Sequence, residues 1–178
     1  RYGRVGARVQ PVDHPCFDEA VDLLVRKVGA KLPYLMIPKP RGLADVQRAV
    51  GAVDDAARRH GVARAIPLHA LVETHGALRE VDAIAAHPRI ESLSFGLMDF
   101  VSAHRGAIPL AGMSATGQFE HPLVVRAKLE IAAACHAHGK TPSHCVVTEF
   151  RHAAALQSAA EKANRQFGYT RMWSIHPA

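Results

Sequence analysis

The chain has 178 residues, of which 48% are hydrophobic and 21% charged, a balance typical of one globular domain with a sizeable core. No apolar run approaches the roughly 20 residues of a membrane-spanning helix and no signal peptide opens the chain, so we predict no membrane partner. The net charge of +6 comes from scattered Lys and Arg with few aromatic residues, so nucleic acid is not favoured and an anionic small molecule would be attracted equally well. Three cysteines without C-x-x-C spacing indicate neither a disulfide framework nor a zinc finger, and the predicted location is the cytoplasm.

Short apolar runs alternate with longer amphipathic stretches along the whole chain. Strands are predicted at residues 7–10, 34–37, 65–73, 90–96, 143–147 and 172–175. Helices are predicted at residues 17–27, 43–59, 77–86, 122–138 and 153–167, with Pro88, Gly139 and Gly168 as stop signals. This alternation predicts parallel strands joined by right-handed helical crossovers.

Two architectures fit the alternation: an open doubly wound sheet, and most of an eight-stranded (β/α) barrel. Neither G-x-G-x-x-G after the first strand nor G-x-x-x-x-G-K-[ST] occurs, which counts against a nucleotide-binding open sheet. No linker or internal repeat divides the chain. We therefore predict a single domain over residues 1–178 and, from its abrupt start, an incomplete one.

Polar residues at the carboxyl ends of barrel strands are the first candidates for a functional site. The predicted strands offer seven such residues: Arg8, Gln10, Lys39, Glu73, His75, Asp99 and His176. Glu73 and Asp99 lie one βα unit apart, so they could converge from adjacent strands. Two carboxylates suit Mg²⁺ or Mn²⁺, and their mutual repulsion requires a cation if both are to be ionised.

Simpler interpretations exist for the same residues. An isolated carboxylate at a strand end is often a helix cap or a solvated loop residue. If His69, Glu73 and His75 share one strand face, zinc is a less favoured alternative, for which only His104 offers a further ligand. Cys145 is interpreted as a small buried hydrophobe, and the Gly-rich residues 105–118 as a mobile flap.

Four segments resemble one family of enzymes. "YLMIPKP", "IPLHALVETHGAL", "HPRIESLSFGLMDF" and "MWSIHPA" are similar to the citrate lyase beta-subunit-like branch of the HpcH/HpaI aldolases, which includes malyl-CoA and citramalyl-CoA lyases. The resemblance implies a (β/α)8 TIM barrel that cleaves a 3-hydroxyacyl-CoA thioester into acetyl-CoA and a 2-oxo acid. It implies Mg²⁺ held by Glu73 and Asp99, and a catalytic, substrate-binding Arg8. The backbone of Gly96, Leu97 and Met98 would face the carboxylate of the oxo acid.

The chain departs from the family pattern at several points. Gln10 replaces an Asn, and "GLMDFVSAHRG" replaces the usual "GxxDLxxxxG", so Met98 and Phe100 are candidates for substrate choice. The first two barrel strands and the C-terminal helix and lid are missing. By resemblance we also expect a homo-oligomer, a trimer or hexamer. A class II pyruvate-type aldolase acting on free 4-hydroxy-2-oxo acids and a non-catalytic anion-binding barrel remain as alternatives.

Overall fold

Six parallel strands pair in the order in which they follow one another along the chain, in a computed structural model that describes residues 5–149 and 151–176. They are β1 (Ala7–Arg8), β2 (Leu35–Ile37), β3 (Leu68–Val72), β4 (Ile90–Phe95), β5 (Thr141–His144) and β6 (Arg171–Met172). A doubly wound sheet reverses its strand order at a switch point, whereas a barrel keeps it sequential. The sheet is therefore a parallel half-barrel, and the doubly wound alternative is wrong.

Helices follow the strands and cover the outer face of the sheet. They are α1 (Phe17–Val28), α2 (Leu43–Arg59), α3 (His75–Arg79), α4 (Val81–Ala86), α5 (Leu97–Ala103), α6 (Pro122–Ala137) and α7 (Ala153–Phe167). Two 3₁₀ turns, Leu110–Met113 and Gly117–Phe119, lie between α5 and α6. Within residues 5–149 and 151–176, no helix has the length and apolar character needed to cross a bilayer.

The core lies between the central strands and the helices. Every residue of β2 is buried, and Leu68 and Val72 of β3 and Val53 of α2 have no exposed surface. Strands buried on both faces are typical of parallel sheets, and each fully buried Val, Leu or Ile stabilises the fold by roughly 1.5–3 kcal/mol.

The strands predicted at residues 7–10 and 65–73 are shorter in the structure, as β1 and β3, and three further predicted elements are divided or shifted. The helix predicted at residues 77–86 is two short helices that meet at Glu80, whose side chain accepts a hydrogen bond from the Leu43 amide at 2.7 Å. The strand predicted at residues 143–147 lies earlier, because Ser92–Ser94 of β4 pair with Thr141–Ser143. The last strand is β6, Arg171–Met172, instead of residues 172–175, and Pro177 lies outside the described residues.

Helix α5 has no counterpart in the sequence prediction. It buries Leu97, Phe100 and Val101, but two turns are too few for an apolar period to be recognised. As a result Asp99 lies in the first turn of a helix, where the helix dipole favours a carboxylate, instead of at a strand end.

A polar cluster lies inside the half-barrel around the buried His69 of β3. Its Nδ1 lies 2.5 Å from Ser92 Oγ and accepts a hydrogen bond from Arg171 at 3.2 Å. Nε2 therefore carries the proton and donates to Ser94 Oγ at 2.6 Å, and the same oxygen accepts from the Trp173 indole. Burial lowers the pKa of His69 to about 3, so the ring is neutral.

Because two histidines are buried, we expect the folded protein to lose stability in acid. Burial lowers the pKa of both His69 and His144 to about 3, and a base with a lowered pKa stabilises the fold above pH 6.5 and loses that contribution as the pH falls toward 3. The lowered pKa of each histidine should reduce the free energy of unfolding by about 2 kcal/mol between pH 7 and pH 5. Urea unfolding at the two pH values measures the change in free energy of unfolding.

The His69→Gln variant isolates one of these contributions. It should lose about 2 kcal/mol less than the unmodified protein over the same pH range, since other titrating groups are common to both proteins and cancel. The exposed His14 offers a matched control, and His14→Gln should leave the pH dependence unchanged. An identical pH dependence in the His69→Gln variant would contradict the prediction.

Candidate active site

Five of the polar residues predicted at strand ends lie together in one cavity. A volume of about 520 Å³ is lined by Arg8, Gln10, Lys39, Glu73 and Asp99. Arg8 ends β1, Lys39 follows β2, Glu73 follows β3, and Asp99 lies three residues beyond Gly96 at the end of β4. Because the carboxyl ends of parallel strands meet at one edge of the sheet, these side chains converge although they are distant in sequence.

A second cavity of about 240 Å³ adjoins the first and shares Arg8, Glu73 and Asp99 with it. Gly96, Leu97 and Met98 line it, and the Met98 side chain is 56% exposed. The remaining wall is mostly apolar, with Met36, Leu71, Phe95, Cys145, Trp173 and Ile175. The site thus joins a charged cavity to a second one with a mostly apolar wall, and charged groups beside apolar walls are typical of small-molecule sites.

Glu73 is the buried carboxylate of the site, with 4% of its surface exposed. Its Oε1 accepts a hydrogen bond from the Lys39 amide at 3.0 Å. Burial, and after it the nearby charge of Asp99, raises the pKa of Glu73 to about 7. Asp99 is half-exposed, and its Oδ1 accepts a hydrogen bond from Lys39 Nζ at 2.8 Å. One buried and one accessible carboxylate therefore face the same space.

Gly96 allows the close approach of β4 to Glu73. A Cβ atom at position 96 would lie 2.5 Å from Glu73 Cβ and closer still to Glu73 Oε2, so only glycine fits there. The Gly96 amide donates to the Val72 carbonyl at 2.9 Å. The last residues of β3 and β4 are thus held in contact, which sets Asp99 opposite Glu73.

The donor set fits a hard divalent cation. Carboxylate oxygens are the ligands that Mg²⁺ prefers, and a cation between them would offset their repulsion and favour the ionised form of Glu73. Within the described ranges, no group of three His, Cys, Asp or Glu side chains could hold a metal ion. The protein would then supply two ligands, with water and substrate completing the shell, as is usual for Mg²⁺.

The two histidine candidates lie elsewhere. His75 belongs to α3, where the Thr74 side chain caps the helix, and its Nε2 lies 3.2 Å from the Ala103 carbonyl oxygen. It therefore does not share a strand face with His69, whose nitrogens contact serines, so the zinc alternative is wrong. His176 is exposed and is not among the described residues that line the two cavities.

Phe100 and the predicted flap also lie away from the cavities. Phe100 is buried against Phe95 and His104, so of the two candidates for substrate choice only Met98 reaches the cavity. Residues 105–118 are anchored by a hydrogen bond from the Ala115 amide to Glu149 Oε1 at 2.8 Å. None of them is among the described residues that line the two cavities, and the mobility of this segment stays a prediction.

A buried charged cluster that was not predicted from the sequence lies behind the cavity wall. Lys128 of α6 has no exposed surface, and its Nζ lies 2.8 Å from Gln118 Oε1 and 2.7 Å from His144 Nε2. Burial lowers the pKa of Lys128 to about 8. Its ammonium also lies 3.9 Å from the centre of the Phe119 ring. The one signal in the sequence is that Lys128 shares the apolar face of a helix, a position where lysine is rare.

Cys145 links this cluster to the cavity. Its thiol is buried, lines the smaller cavity and donates to Gln118 Oε1 at 3.1 Å. Burial raises the pKa of the thiol to about 11, so it is not a nucleophile at neutral pH. The interpretation of Cys145 as a small buried hydrophobe is confirmed.

The fold and the cavity define a parallel (β/α) half-barrel with a carboxylate site at the carboxyl ends of its strands. The chain belongs to the HpcH/HpaI aldolase/citrate lyase family, whose model matches residues 3–177. The predicted family is therefore confirmed. A crystal structure of a citrate lyase from Burkholderia xenovorans LB400 is 51% identical, with a TM-score of 0.96 over 99% of this chain and 55% of that one.

Two further relatives carry related names. The L-malyl-CoA/beta-methylmalyl-CoA lyase of Cereibacter sphaeroides (strain ATCC 17025 / ATH 2.4.3) is 25% identical over 97% of this chain and 57% of its own length. The citrate lyase beta subunit of M. tuberculosis, solved with oxaloacetate and magnesium, shares the fold at 19% identity and a TM-score of 0.74, over 96% of this chain and 66% of that one. The chain thus spans little more than half the length of the first relatives that it matches.

Proposed function

We propose that the protein is a magnesium-dependent carbon–carbon lyase. Its substrate would be a 3-hydroxyacyl-CoA thioester of the citramalyl-CoA, malyl-CoA or citryl type, cleaved to acetyl-CoA and a 2-oxo acid. The observation that carries the proposal is the presence of Arg8, Glu73 and Asp99 in the walls of the same two cavities. The names of the family and of the relatives support the reaction class.

Glu73 and Asp99 are the proposed metal ligands. When bound, Mg²⁺ would supply positive charge that stabilises the negative charge developing on a substrate oxygen during cleavage. The burial of Glu73 keeps one ligand rigid, and the exposure of Asp99 leaves the other open to solvent and substrate. The Lys39 amide orients the Glu73 carboxylate through the hydrogen bond to Oε1.

Arg8 is the proposed substrate-binding and catalytic residue. Its guanidinium can bind a carboxylate of the substrate in a planar, bidentate contact, which holds the oxo-acid part in one orientation. Gly96, Leu97 and Met98 line the smaller cavity, and we propose that their backbone faces the same carboxylate. The apolar wall at Phe95 and Trp173 excludes water, which strengthens these charged contacts.

The wider architecture is part of the proposal. In the part of the chain that is described, β1 and β6 each pair with one neighbour only, and closure into a (β/α)8 TIM barrel would remove both open edges. An assembly of three or six copies and a cytoplasmic location stay predictions.

One assay tests the function. Full-length protein is incubated with citramalyl-CoA, malyl-CoA, citryl-CoA or free 4-hydroxy-2-oxo acids, each with Mg²⁺ or with EDTA. We expect release of acetyl-CoA from a thioester only when Mg²⁺ is present. Cleavage of the free acids alone would indicate the class II aldolase instead. No turnover, together with no Mg²⁺ binding by calorimetry, would indicate a non-catalytic anion-binding barrel.

A further inference from the structure

Lys39 contacts both candidate metal ligands with two different groups. Its backbone amide donates to Glu73 Oε1 at 3.0 Å, and its side-chain ammonium donates to Asp99 Oδ1 at 2.8 Å. It lies two residues after the end of β2, the strand that pairs with β1 on one side and with β3 on the other. One residue thus spans the pair of carboxylates from the side of the larger cavity.

The backbone of Lys39 adopts a conformation that lysine rarely takes. Its φ is +51°, in the left-handed region, and it stands between Pro38 and Pro40, whose rings restrict the neighbouring backbone. The loop is held by Thr74, whose hydroxyl donates to the Pro40 carbonyl at 2.6 Å. Strain of this kind persists only where the surroundings enforce it, and here its result is an amide aimed at the buried Glu73.

The two contacts of Lys39 differ in how easily they can break. The amide contact is part of the strained loop and meets a carboxylate that is almost fully buried. The ammonium contact joins two half-exposed side chains, with 48% and 49% of their surfaces accessible. Exposed ion pairs of lysine are weak, because the flexible stem and hydrated head lose little when they separate. The ammonium can therefore leave Asp99 while the amide stays on Glu73.

We propose that Lys39 is a positioning residue whose ammonium acts as a displaceable counter-ion of the metal site. In the metal-free protein it neutralises Asp99 beside Glu73, and it gives up Asp99 Oδ1 when a divalent cation binds. Its amide continues to orient Glu73 in both states. The inference rests on the proposed function, since it takes Glu73 and Asp99 as the metal ligands.

Removal of the ammonium should strengthen metal binding. In Lys39→Met most of the side-chain length is kept and the competing charge is lost, so the dissociation constant of Mg²⁺ should fall about fivefold. Lys39→Arg restores a cation and should return the affinity toward that of the unmodified protein. Titration calorimetry of the full-length protein with MgCl₂ alone measures all three proteins, without reference to turnover.

Controls separate this effect from general electrostatics and from misfolding. Arg41→Met removes an exposed cation two residues away that pairs with Asp45 and Asp13, and it should leave Mg²⁺ affinity unchanged. Circular dichroism checks the fold, and Lys39→Gln replaces Lys39→Met if that variant does not fold.

The possible outcomes distinguish the inference from the proposed function. Unchanged or weaker Mg²⁺ binding by Lys39→Met, with normal binding by the unmodified protein, would overturn the inference alone. Equal strengthening in Arg41→Met would also overturn it, because a local contact would not be needed. Absence of Mg²⁺ binding by the unmodified protein would overturn both the inference and the proposed metal site.

Discussion

Glu73→Gln and Asp99→Asn should each abolish Mg²⁺ binding detectable by calorimetry and lower the rate of thioester cleavage by about a hundredfold or more. An amide has nearly the shape of a carboxylate but carries no charge, so it cannot balance a divalent cation. The fold should survive both changes. In Glu73→Gln the side-chain amide oxygen can still accept the hydrogen bond of the Lys39 amide, and Asp99 is half-exposed.

Asp55→Asn is the matched control for this pair. Asp55 is an exposed carboxylate of α2 that pairs with Arg58 and lines neither cavity. Its replacement should change neither Mg²⁺ binding nor the rate of cleavage. Initial rates over a range of Mg²⁺ concentrations, with thermal unfolding as the check on the fold, provide the comparison. Normal activity in either Glu73→Gln or Asp99→Asn would disprove the metal assignment.

Lys128→Ala should lower the free energy of unfolding at pH 7 by about 3 kcal/mol or more. The change leaves Gln118 Oε1 and His144 Nε2 without their shared donor in a buried environment, and it opens a cavity beneath the Phe119 ring. Lys128→Met fills most of the space and removes a buried cation that is costly to desolvate. We therefore expect Lys128→Met to lose clearly less stability than Lys128→Ala.

Urea unfolding of the two variants tests this order. Lys31→Ala provides the control, because Lys31 is exposed and its loss should change the free energy of unfolding by less than about 0.5 kcal/mol. A Lys128→Ala protein as stable as the control would show that the cluster of Gln118, Lys128 and His144 contributes nothing to the fold.

The strand-end residues were predictable because a simple geometric rule connects them. Alternating strands and helices imply parallel strands, and parallel strands end at one edge of the sheet. This rule predicts that Arg8, Glu73 and Asp99 lie close together. In the structure, however, Asp99 belongs to the first turn of a helix and not to a strand end. Helix α5 itself was missed because two turns provide too short a pattern for its period to be read.

Contacts between distant segments were not predictable in the same way. His75 was assigned to a strand face, whereas Thr74 ends the extended segment and caps a helix. Lys128 lies on the apolar face of α6, but its partners Gln118 and His144 come from other segments of the chain, and no local pattern identifies them. The contacts that determine where these side chains lie form only in the folded chain, and a local sequence pattern does not predict them.

The sequence by itself determined the class of fold, the family and the residues from which a divalent-cation site could be built, since these depend on residue type and on the order of elements. Only the tertiary structure decided which of those residues meet. It buries Glu73 and raises its pKa to about 7, leaves Asp99 half-exposed, and sets the Lys39 ammonium on Asp99. The physical reason is that the burial of a side chain and the charges beside it depend on segments that are distant in sequence. The order of strands and helices along the chain does not specify these contacts.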